Sequence, residues 1–312
     1  MVHKIFIDGA AGTTGLEIRE RLAGRKELDV VQLSDALRKD AGARAKALNN
    51  ADLVILCLPD AAAREAVALI ENPDVRVIDA STAHRTLPDW VYGFPEMQPG
   101  QRAKIVAAKR VANPGCWATA FIALVNPLVR AGLVPADFPL TANGVSGYSG
   151  GGRSMIEEFE KKDAPVYTET VVRNYALTLT HKHLPEMQKH TGISRPPVFA
   201  PFVGRFYRGM LVEVPLALWA LPGKPKPTDL HRALTEAYRG EPLVEVTEPE
   251  GTTIDAEGLN NTNRIRLTVL GNDKSEQVRL VALLDNLGKG AGGAAVQNLN
   301  IMLGLPETAG LL

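Results

Sequence analysis

Lys4-Ile5-Phe6-Ile7-Asp8-Gly9-Ala10-Ala11-Gly12-Thr13-Thr14-Gly15-Leu16-Glu17-Ile18-Arg19-Glu20-Arg21-Leu22 joins an apolar β-forming run, a glycine-rich turn and a stretch with apolar residues at helical spacing. Strand, glycine turn and helix in that order open a dinucleotide-binding βαβ unit. The glycines let the backbone approach a pyrophosphate, and the helix N-terminus meets it with N–H groups and the positive end of its dipole. The spacing is G-x-x-G-x-x-G and not G-x-G-x-x-G, so its placement directly after the first strand carries the reading. Gly9, Gly12, Thr13, Thr14 and Gly15 are the candidate phosphate-binding residues.

Working outward, Leu28 to Leu33 reads as the second strand, followed by Ser34-Asp35-Ala36-Leu37-Arg38-Lys39, where the adenosine ribose would lie. An acidic residue there favours NAD, and a hydroxyl with a cation favours the 2′-phosphate of NADP. Asp35 argues one way, Ser34 and Arg38 the other; Arg38 and Lys39 also fit a solvated helix end. Asp52 to Pro59 is near-continuously apolar, as a parallel strand covered on both faces should be, with Cys57 read as core and Pro59 facing the cofactor. A helix is expected over 65–71 and a strand over 75–79. Ligands of such sheets bind at the carboxyl ends of strands, so Ser81 and Arg85 are placed to meet an anion. A further strand over 105–111 leads to Val111-Ala112-Asn113-Pro114-Gly115-Cys116-Trp117-Ala118-Thr119.

Pro114 and Gly115 force a tight turn. It sets Cys116 at the start of a helical pattern that is clear from Ala120 to Val129. N–H groups and the dipole at a helix N-terminus stabilise a thiolate, the form that makes acyl-enzymes. The plainer reading is a cysteine packed as a small hydrophobe.

Downstream, Leu140 to Val145 is a strand running into Ser146-Gly147-Tyr148-Ser149-Gly150-Gly151-Gly152-Arg153, a loop able to present N–H and O–H donors to an anion. Leu177 to Thr180 alternates and ends at His181-Lys182-His183-Leu184-Pro185-Glu186. Three of the six histidines stand at 181, 183 and 190. In an extended segment His181 and His183 point the same way and supply the acid or base a thiol nucleophile needs. Zinc is the competing use, but no second ligand pair stands at zinc spacing, so no metal is expected. Phe199 to Gly209 holds Arg205 and Arg208. Met210 to Leu218 is a strand, Thr228 to Tyr238 an amphipathic helix and Glu241 to Ile254 short polar strands. Asn263 to Leu270 and Gln277 to Asp285 form a hairpin pair, so an antiparallel, half-exposed sheet is expected. Asp285 to Gly304 is a glycine-rich loop and a helix with small residues on one face, expected to pack back on the first domain.

The totals narrow the classes. With 312 residues the chain has room for two domains. Lys+Arg and Asp+Glu are both 35, so no basic excess points to nucleic acid or an anionic membrane. No apolar run reaches about 18 residues, so no transmembrane span is expected. Two cysteines do not make a disulfide framework, and the N-terminus lacks a secretory leader pattern, so the cytoplasm is expected.

Taken together, the pieces resemble the N-acetyl-gamma-glutamyl-phosphate reductases of arginine biosynthesis, in their shorter form. The residues that carry the resemblance are Gly9 to Gly15, Tyr92-Gly93-Phe94-Pro95-Glu96, Asn113-Pro114-Gly115-Cys116, Gly144-Val145-Ser146-Gly147, His181-Lys182-His183-Leu184-Pro185-Glu186 and Asp285-Asn286-Leu287-Gly288-Lys289-Gly290-Ala291. The resemblance covers essentially the whole chain. It implies the α/β fold of the glyceraldehyde-3-phosphate and aspartate-semialdehyde dehydrogenases. In that fold a Rossmann NAD(P)-binding domain over 1–116, completed by 286–312, accompanies an α+β catalytic and dimerisation domain with a mixed or antiparallel sheet over 117–285. It implies a cysteine thioester on Cys116, reduced with NADPH, in a homodimer or homotetramer acting on a small molecule. It implies His183 as acid/base and His181 as substrate ligand, or the reverse, with Glu186 orienting one imidazole. It also implies Asn113, Ser146, Gly147, Tyr175 and Arg208 near substrate, and Asn286 and Lys289 near the nicotinamide.

The chain departs from that pattern at Trp117, at the extra glycines of 150–152 and at Phe202 to Tyr207. The last leaves the anion-binding arginine open between Arg205 and Arg208. A reductase of a related acyl phosphate (aspartyl or carrier-bound aminoadipyl phosphate) and a non-catalytic NAD(P)-binding sensor are the alternatives.

Overall fold

The computed structural model describes residues 2–34, 36–38 and 40–311; Asp35 and Lys39 lie outside the described residues. The chain forms two compact units. One is built from the segment up to Pro95, Gly100–Gly115 and the segment from Ala291 onward; the other from Glu96–Pro99 and Cys116–Gly290.

In the first unit, strands β1 (His3–Asp8), β2 (Leu28–Val31), β3 (Leu53–Leu56), β4 (Arg76–Asp79), β5 (Val91–Tyr92) and β6 (Arg110–Ala112) form one sheet in the order β2-β1-β3-β4-β6-β5. Every pairing is parallel. All four residues of β3 are buried, which explains their unbroken apolar run. Helices α1 (Thr13–Leu22), α2 (Ala41–Asn49), α3 (Asp60–Ala68) and α4 (Gln101–Ala107) link the strands. The order reverses at β1, which pairs with both β2 and β3, so the crevice at the carboxyl ends of β1 and β3 is the switch point where ligands of such sheets bind.

Two expectations are corrected here. The helix expected over 65–71 is α3, which starts at Asp60 because Pro59 turns the chain with a fixed φ of −60° and Asp60 suits the positive end of the dipole. The strand expected over 105–111 is α4 followed by the short β6. Gln101 and Ile105, four residues apart, are the buried pair, and that spacing is helical.

The C-terminal helix, Gly293–Leu303, belongs to this unit and is buried from Gly293 to Met302. Its small residues let it pack closely, and its polar residues are paired: Asn298 Nδ2 donates to the Gly93 carbonyl at 2.8 Å. A Cβ at Gly93 would stand 2.5 Å from that nitrogen, so only glycine admits the bond. The expected return of the chain end to the first domain is thus present.

The second unit holds α5 (Cys116–Arg130), β7 (Thr141–Gly147), α6 (Gly152–Glu160), β8 (Val172–Asn174), α7 (Leu184–Thr191), β9 (Val198–Gly204), β10 (Met210–Ala217), α8 (Pro227–Ala237), β11 (Val244–Thr247), β12 (Ile265–Asn272) and β13 (Gln277–Leu284). Its seven strands run β11-β12-β13-β10-β7-β9-β8. The expected hairpin is β12–β13. The sheet is mixed: β7–β9 and β11–β12 pair parallel, the rest antiparallel. Met210, Val212, Val214 and Leu216 of β10 are buried while their neighbours are not, the alternation of a sheet covered on one face.

α5 is buried from Trp117 to Leu128. Pro127 sits inside it and cannot donate to the Ala123 carbonyl four residues back. The Tyr238 hydroxyl donates to that carbonyl instead, at 2.8 Å. Burial holds the Tyr238 phenol well above its ordinary range, so it stays a donor. Among the described residues no helix is long and apolar enough to cross a membrane.

Candidate active site

Cys116 is the first residue of α5, so it stands at the positive end of that helix's dipole. It is half-buried. Gly290 packs against it: a Cβ there would stand 2.7 Å from the Cys116 Cβ. The 285–290 loop is held at that distance by Gly290 N–H donating to the Asp285 carbonyl at 3.0 Å. Lys289 turns away into a buried ion pair, its Nζ donating to both Glu96 oxygens at 2.7 and 2.9 Å.

Cys116 lines a cavity of about 130 Å³ with Trp117, Ser146, Gly147, Gly150, Tyr175, His181, Lys182 and His183 among its walls. Larger hollows of about 530 and 710 Å³ lie along β10, β12 and β13, and no cysteine or histidine lines either. Chemistry that needs a nucleophile and a titrating base therefore belongs to the smaller cavity.

The two histidines meet there with ring centroids 4.7 Å apart. They do not sit in an extended segment. Residues 177–179 form a turn and a bend, with Ala176 and Leu179 in the left-handed region, and His183 precedes α7 with helical backbone angles. The turn puts the rings together: the His183 N–H donates to His181 Nδ1 at 3.2 Å. His181 Nδ1 is therefore an acceptor, and its neutral ring carries the proton on Nε2. His183 Nε2 lies 3.8 Å from Glu186 Oε1, and both residues are buried. Glu186 is thus the acidic neighbour of that ring.

Trp117 fits because Gly144 has no side chain; a Cβ there would stand 3.0 Å from the indole. Trp117 meets Phe199 edge-on at 5.1 Å. Desolvation raises the Tyr175 phenol above its ordinary range and the Cys116 sulfur adds to this, while a hydrogen bond with the Trp117 N–H opposes it. Tyr175 is thus a neutral donor beside the sulfur. Ser146 is buried, and Gly147 is pressed against the Tyr207 carbonyl, where a Cβ would stand 2.5 Å from the oxygen. The expected 146–153 loop is shorter than that stretch, since β7 runs through Gly147 and α6 begins at Gly152.

Other expected residues are tied into the protein. Arg205 donates to the carbonyls of Thr170 at 3.1 Å, Phe159 at 3.2 Å and Thr168. Arg208 donates to Asn261 Oδ1 at 2.6 Å and Asp285 Oδ2 at 3.2 Å. Neither lines the Cys116 cavity. Asn286 joins two loops, donating to Ser149 Oγ at 2.9 Å and accepting from Gly209 N–H at 2.8 Å. Among the described residues the one fixed cation in the wall is Lys182, which sequence reasoning passed over although it stands between the two histidines in the chain.

In the first unit, Arg85 donates to the Asn113 and Ala80 carbonyls at 2.9 and 3.1 Å. Asn113 Nδ2 donates to the Ala291 carbonyl at 2.9 Å. Together these bonds fix the segment that leads to Cys116. Ser81 Oγ donates to Asp79 Oδ2 at 2.7 Å, and the same oxygen meets His84 Nδ1 at 2.5 Å. Ser34 and Arg38 lie on an exposed turn after β2.

The turn after β1 fits a dinucleotide. Gly9 has φ +88°, and a Cβ there would stand 2.3 Å from the Cys57 carbonyl oxygen; one at Gly15 would stand 2.6 Å from the Gly9 oxygen. The N-caps of α1 and α3, Gly12 and Pro59, make no side-chain cap hydrogen bond, and a helix N-terminus is a ready anion site. Cys57 is different from Cys116: desolvation, then Asp79 and Asp8, push its thiol up to about 12.

Comparison with known proteins agrees with this arrangement. Residues 4–105 match the semialdehyde dehydrogenase NAD binding domain, and residues 116–286 the semialdehyde dehydrogenase dimerisation domain. Aspartate semialdehyde dehydrogenase II from Vibrio cholerae superposes with a TM-score of 0.72 at 14% identity, over 97% of this chain and 98% of that one. The enzyme from Candida albicans, solved with NADP, gives 0.70 at 13% identity, over 97% and 99%. These two share the fold. N-acetyl-gamma-glutamyl-phosphate reductase 2 of Nostoc sp. is 52% identical over 318 aligned positions, 99% of each chain. The N-acetyl-gamma-glutamyl-phosphate reductase of Brucella ovis is 52% identical over 309, covering 97% of this chain and all of that one. At that identity over nearly the full length, with the nicotinamide-cofactor unit and the cysteine unit each matched, this chain belongs to the N-acetyl-gamma-glutamyl-phosphate reductase family of semialdehyde dehydrogenase-type oxidoreductases.

Proposed function

We propose that this chain reduces N-acetyl-L-glutamyl 5-phosphate to N-acetyl-L-glutamate 5-semialdehyde and phosphate with NADPH, a step of arginine biosynthesis, through a thioester on Cys116. The observation that carries the reading is Cys116 at the head of α5 in one cavity with His181, His183 and Tyr175. The dimerisation-domain match supports a homodimer or homotetramer, and a small-molecule enzyme of this kind suits the cytoplasm. The working division is a cofactor domain over 1–116 with 286–312 and a catalytic domain over 117–285.

The Cys116 sulfur adds to the acyl carbon, the bond from that carbon to the phosphate oxygen breaks, and phosphate leaves. N–H groups at the head of α5 favour the thiolate. When bound, the nicotinamide supplies the hydride for the thioester carbon. His183, backed by Glu186, gives a proton to the oxygen of the thiohemiacetal and takes it back as the C–S bond breaks and the thiolate leaves. His181 offers its Nε2–H to substrate, and Ser146, Gly147 and Tyr175 help orient it. Gly9, Gly12, Thr13, Thr14 and Gly15 would hold the pyrophosphate, with Ser34 and Arg38 on the 2′-phosphate and Pro59 and Ser81 along the crevice. Asn286 is assigned to the nicotinamide side, whereas Lys289, expected with it, is committed to Glu96 and holds the loop. Asn113 and Arg85 act by fixing the segment before Cys116.

Mixing the enzyme with the acyl phosphate in the absence of NADPH tests the thioester. One acyl group on the peptide containing Cys116, with a matching burst of phosphate, is expected. Phosphate release without an acylated peptide contradicts the proposed route.

A further inference from the structure

Lys182 has no task in the reaction so described. It lines the Cys116 cavity while remaining exposed, so it stands at the opening. It also stands beside a helix N-terminus, the end that favours anions. His183 is the N-cap of α7, which places Lys182 one residue before the positive end of that helix dipole, between His181 and His183 in the chain. The acidic residue of the first turn, Glu186, is buried and faces His183.

Under the functional reading above, on which this inference rests, the substrate carries a carboxylate and an acyl phosphate. Placing either in a half-enclosed cavity without a counter-charge is costly. The two arginines expected for that role are held elsewhere, Arg205 by three carbonyls and Arg208 by Asn261 and Asp285. Among the described residues that line the cavity, Lys182 is the one fixed cation. We propose that Lys182 is the counter-ion for an anionic group of the substrate and gives the Cys116 cavity its preference for anionic electrophiles.

Two measurements on the full-length enzyme test this, with Lys182→Met removing the charge and Lys182→Arg keeping it. The first compares alkylation of Cys116 by iodoacetate, an anion, and by neutral iodoacetamide. A cation near the sulfur speeds the anion selectively. The iodoacetate-to-iodoacetamide rate ratio should fall about three- to tenfold in Lys182→Met and recover in Lys182→Arg. The second takes KM for phosphate and for N-acetylglutamate semialdehyde separately in the reverse reaction. A roughly tenfold rise in one of them is expected, with a smaller change in kcat. A rise for phosphate assigns Lys182 to the phosphoryl group, and a rise for the semialdehyde assigns it to the carboxylate. An alkylation ratio and both KM values unchanged in Lys182→Met overturn the proposal. Absence of turnover in the wild type contradicts the functional reading, and the alkylation ratio then still decides whether Lys182 draws anions to Cys116.

Discussion

Cys57 and Cys116 are both half-buried, and both come just after strands of the parallel sheet, yet their surroundings differ. Cys57 lies between carboxylates; desolvation together with Asp79 and Asp8 pushes its thiol up to about 12. Its backbone serves the turn, with the Cys57 N–H donating to the Asp8 carbonyl at 2.8 Å and its own carbonyl oxygen against Gly9. Cys116 heads a helix, with two imidazoles, a neutral phenol and a lysine around its cavity. Whole-residue exposure does not separate the two, but desolvation of the Cys57 sulfur, the carboxylates beside it and the helix that Cys116 heads do.

The largest expected effect comes from exchanging the two thiols one at a time. Cys116→Ser should remove turnover with NADPH binding retained, and Cys57→Ser should leave turnover in place. Steady-state rates with cofactor fluorescence titrations check both, and the reverse pattern would break the comparison. Next comes the base. His183→Asn should lower kcat by roughly 10²–10⁴. The same loss in His181→Asn instead would exchange the roles of the two rings. Gly290→Ala should force the new Cβ onto Cys116, costing roughly 1–3 kcal/mol of stability with a loss of kcat, as seen in chemical denaturation and turnover. Unchanged kcat in that variant would show that the 285–290 loop does not set the position of the sulfur. On the cofactor side, Arg38→Ala should weaken NADPH about tenfold more than NADH. Equal effects on the two would place the 2′-phosphate elsewhere.

The smallest effect is thermodynamic. A thiol raised from 9.0 to about 12 in the folded protein keeps its proton in a range where the unfolded chain has lost it. The unfolded chain then binds fewer protons, so this contribution is intact below about pH 9 and is lost as pH rises toward about 12. Denaturation midpoints should fall less steeply across that window in Cys57→Ala than in the wild type. Parallel slopes would mean that the Cys57 thiol is not held protonated.

What the chain made legible was local. Gly9 and Gly15 mark the dinucleotide turn because the backbone passes too close to Cys57 and to Gly9 itself for any side chain. The helix start at Cys116 was legible, although residues 113–115 lead into it without an assigned turn, and the β12–β13 hairpin follows from alternation. What stayed hidden depends on partners distant in sequence. Arg205 reads as an anion binder until its acceptors are seen, three carbonyls that lie 35 to 46 residues away. Gln101 and Ile105 mark α4 only once their burial is known, because the isolated Ile105-Val106 pair suits a strand equally well. The meeting of His181 and His183 was foreseen, but for the wrong geometric reason: a turn and a backbone N–H to Nδ1 bond bring the rings together. Lys182 carries a readable signal, a cation between two histidines in the chain, directly ahead of a helix.

The central claim, that Cys116 carries the acyl group of an N-acetylglutamyl phosphate, is tested most directly in the reverse direction. N-acetylglutamate semialdehyde, phosphate and NADP⁺ are supplied together, and formation of reduced cofactor is followed beside aspartate semialdehyde and a Cys116→Ser control. The account predicts phosphate-dependent reduction of NADP⁺ with the N-acetylated substrate alone, absent in the control. Equal turnover with aspartate semialdehyde, or turnover that survives Cys116→Ser, would contradict it.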